Sequence, residues 1–293
     1  MCAAKIAKLP SLLYGTAWKK DKTQDLVKQA LQSGFRAVDT AAQPKHYQEN
    51  LVGAGIRDAL RDGSIKREDL YIQTKYTSTN GQDPKAGMPY NPRGSITDQV
   101  HASVASSLAN LQHVENGAQP YIDCLVLHSP FSASSQTLEA WRAMETHVPG
   151  EVHTLGISNC YDLHELQALY DTAAVKPSVL QNRFYRESGY DRSIRAFCQS
   201  KGIVYQSFWT LTANPHLLES QPVLFLRDQA EVSKEVALYS LVLGLGNISV
   251  LCGTTNADRM RDNLKGVAAV QAWSTQHSQQ WNELVAGFDS LLG

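Results

Sequence analysis

Eight short runs rich in apolar and β-branched residues recur along the chain, and each is followed by a longer stretch whose apolar positions have helical spacing. The runs are Ser11–Tyr14, Ala37–Asp39, Leu70–Thr74, Ile122–Leu127, Val152–Gly156, Val179–Gln181, Val204–Ser207 and Ile248–Leu251. The helical stretches are Gln24–Gln32, Glu49–Arg61, Ile96–Leu111, Ser135–Glu145, Tyr161–Asp171, Arg192–Ser200, Ala230–Leu243 and Ala257–Lys265. Alternation of this kind dictates parallel strands, because a parallel pair needs a crossover connection and a helix is the usual one. An open doubly wound sheet and a closed barrel both satisfy the pattern. Eight repeats without a linker rich in Gly, Pro or charge select the α/β class and, within it, a (β/α)8 TIM barrel forming a single domain over residues 1–293. The stretch Tyr76–Arg93 is rich in Gly, Pro, Asn and Ser and follows the third strand. In a barrel it lies on the C-terminal face, where active-site lids occur.

Composition narrows the function classes. The 293 residues carry a formal net charge of −1, with 43% hydrophobic and 19% charged residues. Such a chain can bury a large core and has no electrostatic footprint for nucleic acid. Its longest apolar runs, near Ile122–Leu127 and Val236–Leu245, fall short of a membrane span, and the first residues contain no continuous apolar stretch of the secretory kind. The expectation is a cytoplasmic protein, a monomer or weak dimer, acting on a small molecule. Five scattered Cys without a C-x-x-C pair point to reduced thiols, and nine dispersed His offer no metal-ligand spacing, so no metal is expected.

The Gly-x-Gly pairs Gly244–Gly246 and Gly53–Gly55 do not continue as a dinucleotide fingerprint behind a strand. The strand ends carry more information. Asp39, Lys75 and His128 each sit at the end of an apolar run. Strand ends are often polar for ordinary reasons, but a barrel would bring this acid, base and imidazole to one mouth.

The segments Gly15–Trp18, Gly34–Ala41, Ile72–Lys75, Asp123–Pro130 and Leu155–Asn159 resemble the successive signatures of the aldo-keto reductases, in order and in register as far as Asn263. Ala41–Tyr47 and Tyr205–Thr210 are most similar to the short fungal members. The resemblance implies a catalytic tetrad of Asp39, Tyr47, Lys75 and His128, with NADPH/NADP+ as cofactor and a carbonyl compound as substrate. A donor must face the carbonyl oxygen as negative charge grows there, which assigns the acid to Tyr47. Lys75 would lower the phenol pKa, Asp39 would hold Lys75 charged, and neutral His128 would donate a second hydrogen bond. By the same resemblance Ser158, Asn159 and Gln181 clamp the nicotinamide carboxamide, and Phe208 stacks on the ring. Thr254, Arg259 and Asn263 contact the adenosine phosphate at a helix N-terminus. Thr16, Trp209 and Leu211 complete the cofactor set, with Trp18, Trp209, Leu211 and the Tyr76–Arg93 loop bordering the substrate.

Three departures from the family pattern stand out. Gln43-Pro44-Lys45 lengthens the interval between Asp39 and Tyr47, which makes His46 a competitor for the acid position. Gly253 stands where a Lys to the 2′-phosphate is usual, leaving Arg259 as the main cation. Little precedes the first strand, and the tail is expected to form a helix through Gln271–Leu292 rather than a pocket-closing loop, so an open pocket for bulky or polycyclic ketones is expected. Two other readings stay open beside NADPH-dependent carbonyl reduction: a cofactor-binding regulatory subunit without turnover, and a redox-neutral isomerase or dehydratase on the same barrel.

Overall fold

The computed structural model describes residues 9–61, 63–113 and 119–293. Within them β1 (Leu12–Gly15), β2 (Ala37–Asp39), β3 (Tyr71–Tyr76), β4 (Ile122–Leu127), β5 (Val152–Ser158), β6 (Pro177–Arg183), β7 (Val204–Phe208) and β8 (Ile248–Cys252) close into a barrel in chain order. Every neighbouring pair is parallel, and β8 returns to β1 with Leu13 opposite Leu251. The expected (β/α)8 architecture is the observed one. Of the five cysteines, Cys2 lies outside the described residues, and the other four are buried free thiols.

The strands are crossed by α1 (Thr23–Gln32), α2 (Glu49–Leu60), α3 (Ile96–Asn110), α4 (Ser134–Glu145), α5 (Leu163–Thr172), α6 (Arg192–Lys201), α7 (Gln221–Ala230), α8 (Lys234–Gly244), α9 (Ala257–Gln276) and α10 (Ser278–Leu291). Their starts follow from local chemistry. Ser95, Asp162, Ser233 and Asn256 each accept a hydrogen bond from a first-turn amide, which satisfies a donor the helix cannot. The inward faces are apolar: Leu26, Val27, Ala30 and Leu31 of α1 are all buried, and each buried Leu contributes about 1.5–3 kcal/mol.

Three helix expectations need correction. The stretch assigned to one helix over Ala230–Leu243 belongs to two. α7 ends at Ala230, where Glu231 adopts a left-handed φ of 52°, and α8 begins only after the Ser233 cap. The start of α7 is marked by Ser220 followed by a Pro in the first turn. The phosphate-side helix does not stop at Lys265 but runs to Gln276. Gly266 does not break it because the residue is there for contact: a Cβ at that position would come within 2.8 Å of Val236 on α8. The tail is helical but not one helix through Gln271–Leu292: the chain breaks at His277, φ −122° and ψ 47°, between α9 and α10, and α10 packs against α7, α8 and α9 and buries Phe288.

Alternate residues of each strand point into the lumen. A lower layer is apolar, built from Leu13, Ala37, Tyr71, Cys124, Val126 and Val179. Above it the same inward rows continue as Asp39 on β2, Gln73 and Lys75 on β3, Gln181 on β6 and Gln206 on β7. Lys75 therefore lies inside β3 rather than just beyond it, because that strand extends to Tyr76.

Candidate active site

The C-terminal ends of β2, β3 and β4 bring the three ionisable residues together. Lys75 and Asp39 are both buried, and the Lys75 Nζ donates to both carboxylate oxygens at 2.7 Å and to the Thr40 carbonyl at 2.8 Å. Tyr47 reaches this pair despite the longer loop. Its ring centroid lies 5.3 Å from Lys75 Nζ and packs edge-on against His128 at 6.1 Å. The loop is shaped to allow this: the amides of His46 and Tyr47 both bond to the Gln43 carbonyl, folding Gln43–Lys45 into a turn that absorbs the additional length. His46 turns elsewhere, stacking on Trp18 with centroids 3.9 Å apart. Of the two candidates for the acid, Tyr47 is the one beside Lys75 and His128.

The electrostatics differ from expectation in one respect. Burial, reinforced by the Asp39 charge, pushes the Tyr47 phenol well above its ordinary value. Lys75 does not lower it as expected, because all three Nζ hydrogen bonds are spent on Asp39 and Thr40 and Asp39 cancels its charge. Burial also depresses Lys75 itself, and Asp39 opposes that. His128 is pulled down to about 3 by burial, with Lys75 and His46 adding positive charge nearby. Its Nδ1 shares a 2.6 Å hydrogen bond with Thr77 Oγ1, which leaves Nε2 for a ligand. In the tautomer whose Nδ1 accepts from Thr77, the neutral imidazole presents an Nε2–H, and it and the neutral phenol are two hydrogen-bond donors for one oxygen.

Next to them lie the expected carboxamide-clamp residues. Ser158 Oγ donates to the Gln181 carbonyl at 2.7 Å, and Asn159 Nδ2 donates to the His128 carbonyl at 2.9 Å, joining this cluster to the tetrad. Asn159 has a φ of 53°, Trp18 of 64° and Trp209 of 58°. Left-handed backbone costs roughly 1–2 kcal/mol for a residue with a Cβ, and three such residues lie at the mouth, just past β1, β5 and β7. Trp18 is 65% exposed and Trp209 53%, the latter covered on one face by the Arg183 guanidinium at 4.3 Å. Phe208 packs edge-on to Trp209 at 6.2 Å, Leu211 is half-buried against the core, and Thr16 is buried with its Oγ1 on the Asp39 carbonyl at 2.9 Å. The loop after β3 is tied down by Gln43 Nε2 on the Gly81 carbonyl at 2.6 Å and Tyr90 OH on the Thr77 carbonyl at 2.6 Å. A cavity of about 270 Å³ opens between this loop and α2, lined in part by Tyr47, Pro44, Met88 and Asn110.

At the end of β8, Asn256 caps α9 and leaves other first-turn amides for an anion. Arg259 is exposed on that turn, Asn263 is buried with its Nδ2 3.2 Å from Cys252 Sγ, and the Thr254 carbonyl accepts from Tyr14 OH at 3.2 Å. A residue missed in the sequence also sits here. Lys19, from the loop after β1, donates to the Gly253 carbonyl, and a Cβ at Gly253 would stand 3.6 Å from its Nζ. A cation thus occupies the surroundings of the position where the family pattern expects a Lys. Free helix amides, two cations and the Ser158–Asn159–Gln181 cluster are the donor and acceptor set that a dinucleotide needs, so the residues present fit such a cofactor. Among the described residues no group of three His, Cys, Asp or Glu is placed to hold a metal ion, and no helix is long and apolar enough to cross a membrane.

Comparison with known proteins agrees with this geometry. The chain is 32% identical over 240 residues to the uncharacterized oxidoreductase YtbE of Bacillus subtilis, covering 81% of this chain and 75% of that protein. It is 28% identical over 283 residues to an NAD/NADP-dependent indole-3-acetaldehyde reductase of Schizosaccharomyces pombe, covering 90% and 88%. The fold superimposes on the crystal structure of a silkworm aldo-keto reductase, AKR2E5 of Bombyx mori complexed with NADPH, with a TM-score of 0.69 at 20% identity over 89% of this chain and 83% of that one. The family model of the aldo/keto reductases matches residues 11–222, from the first strand through the seventh. A match of that extent, on a barrel whose mouth gathers these groups, makes the chain a member of the aldo/keto reductase family, an NAD(P)H-dependent oxidoreductase acting on carbonyl compounds.

Proposed function

We propose that the chain is an NADPH-dependent reductase of ketones and aldehydes in which Tyr47 is the proton donor. The observation that carries this reading is the meeting of Tyr47, Lys75, Asp39 and His128 at the barrel mouth, beside Ser158, Asn159 and Gln181. When bound, the reduced nicotinamide supplies the hydride that adds to the carbonyl carbon. The protein's own residues handle the oxygen. His128, neutral near physiological pH, orients it with an N–H from Nε2, and Tyr47 delivers its proton as negative charge develops there. Lys75, fixed by Asp39, would stand beside the phenolate that Tyr47 becomes, its ammonium 5.3 Å from the ring centre. Burial, which pushes the phenol above its ordinary value, supports a protonated Tyr47 before the step. Gln181, Ser158 and Asn159 would hold the carboxamide, Phe208 would lie on the ring, and Thr254, Arg259, Asn263 and Lys19 would hold the phosphate end. Preference for NADPH is part of the proposal and rests on the two cations.

The substrate class follows from the mouth. Two exposed indoles, Trp18 and Trp209, border an opening that α10 does not cover, since that helix packs on α7, α8 and α9. Large flat surfaces suit ketones with fused or aromatic rings. Oxidation of NADPH with a carbonyl panel tests the whole reading. Turnover of a large hydroaromatic ketone above that of a small aldehyde is expected. Tight NADP+ binding without turnover on any member would overturn the reductase reading, and strong preference for the small aldehyde would overturn the substrate class.

A further inference from the structure

The upper lumen layer contains two amides that the mechanism does not use. Gln73 and Gln206 are fully buried, on β3 and β7, where a barrel of this kind normally packs branched apolar side chains. Asp39 is aligned with Gln73 across β2 and β3, and Gln181 with Gln206 across β6 and β7, so two adjacent-strand pairs face each other across the lumen.

The hydrogen bonds fix the orientation of all three amides. The Asp39 carboxylate accepts from Gln73 Nε2 at 2.7 Å and from Gln181 Nε2 at 2.9 Å, so each amide turns its NH2 toward the acid. The second N–H of each goes to a single acceptor, Gln206 Oε1, at 2.8 and 2.9 Å. Gln206 Nε2 in turn donates to Gln73 Oε1 at 2.9 Å, closing a reciprocal amide pair. With both N–H groups spent, Gln181 is left with Oε1, which has no partner among the described residues. It can act toward a ligand only as an acceptor.

A carboxamide NH2 needs such an acceptor. We propose that Gln206, locked by Gln73, is a positioning residue that holds Gln181 Oε1 ready for the amide N–H of a bound nicotinamide. The proposal deepens the reductase reading and rests on it. Without Gln206 the second N–H of Gln181 loses its acceptor, and the bond to Asp39 alone holds the amide, so Oε1 is no longer fixed toward the cofactor.

Calorimetric titration of the purified protein with NADP+ and with 2′-phospho-ADP-ribose, which lacks the nicotinamide, tests it. Gln206→Leu should weaken NADP+ about tenfold, the size of one hydrogen bond, while the fragment binds as it does to the wild type. Gln206→Glu, held as the neutral acid by burial beside the Asp39 carboxylate, keeps an oxygen to accept from Gln181 Nε2 and an O–H to donate to Gln73 Oε1, and should restore NADP+ affinity to within about threefold. Gln73→Leu, which frees Gln206, is a second probe should the first variant fail to fold, and should give the same split between the two ligands. Equal NADP+ affinity in wild type and folded variants would overturn the proposal, as would a parallel loss of both ligands, which marks a merely structural role. If the wild type binds the fragment and NADP+ equally well, Gln181 gives the nicotinamide no contact and the proposal fails while a phosphate site stands. If it binds neither, the reductase reading falls and takes this one with it.

Discussion

Lys75 Nζ lies 2.7 Å from both carboxylate oxygens of Asp39, and neither side chain has appreciable contact with solvent. Such a pair is costly to bury and costlier to break. Removing one partner leaves an uncompensated charge in the lumen, whereas removing both leaves a cavity. Asp39→Ala should therefore lower the unfolding free energy by about 3–5 kcal/mol, and Asp39→Ala combined with Lys75→Met should recover part of that loss. Urea titrations of the single and double variants measure it. Equal stability of single and double variants would show that the lumen admits water to the orphaned ammonium.

The identity of the acid separates two adjacent residues. Tyr47 packs beside Lys75 and His128, whereas His46 stacks on Trp18. Tyr47→Phe should reduce kcat by about 10²–10⁴, the usual contribution of a general acid, and leave NADP+ affinity within about twofold. His46→Ala should change kcat by less than about fivefold. Because burial holds the phenol above its ordinary value of 10.0, kcat should show no alkaline decline below about pH 9 from Tyr47 ionisation. A kinetic pKa near 7 that vanishes in Tyr47→Phe would contradict this assignment.

His128 makes a prediction about acid stability. Its folded-state pKa is about 3 against an ordinary 6.5. Between those values the unfolded chain binds a proton that the native protein excludes, so stability rises with pH across that window and falls as pH drops through it. His128→Gln should flatten the slope of unfolding free energy against pH between about 6 and 4 by up to one proton's worth, with no change above about pH 7. Denaturant titrations at fixed pH values supply the two curves. Parallel curves would mean that the imidazole is protonated in the native protein.

The barrel was legible because each βα repeat advertises itself locally, and Asp39, Lys75 and His128 stood out as ionisable residues at the ends of apolar runs. α7 was not legible as a separate helix, since only the left-handed turn at Glu231 divides it from α8. Gln73 and Gln206 were invisible for a different reason. A single amide inside an apolar run carries no sign of pointing inward, and its meaning depends on another amide on a strand 133 residues away. Lys19 was hidden likewise: it belongs to one loop and acts at Gly253, 234 residues distant.

Lys19 yields the last prediction. Its ammonium rests on the Gly253 carbonyl, close to the first turn of α9 that carries Arg259. Burial lowers its pKa, so an anion arriving there gains a partly desolvated cation that hydrates poorly and binds well. Lys19→Met and Arg259→Met should each weaken NADPH by about tenfold and NADH by less than about twofold, and the double variant should lose most of its preference between them. The converse substitution is sterically open, because a Cβ at Gly253 meets only the Lys19 ammonium at 3.6 Å and the Gly15 carbonyl oxygen at 3.8 Å. Gly253→Lys should thus fold normally and raise the NADPH preference. Fluorescence titration of the wild type and the four variants with both dinucleotides decides the matter, since equal losses for NADPH and NADH in Lys19→Met would place its ammonium on a phosphate the two cofactors share.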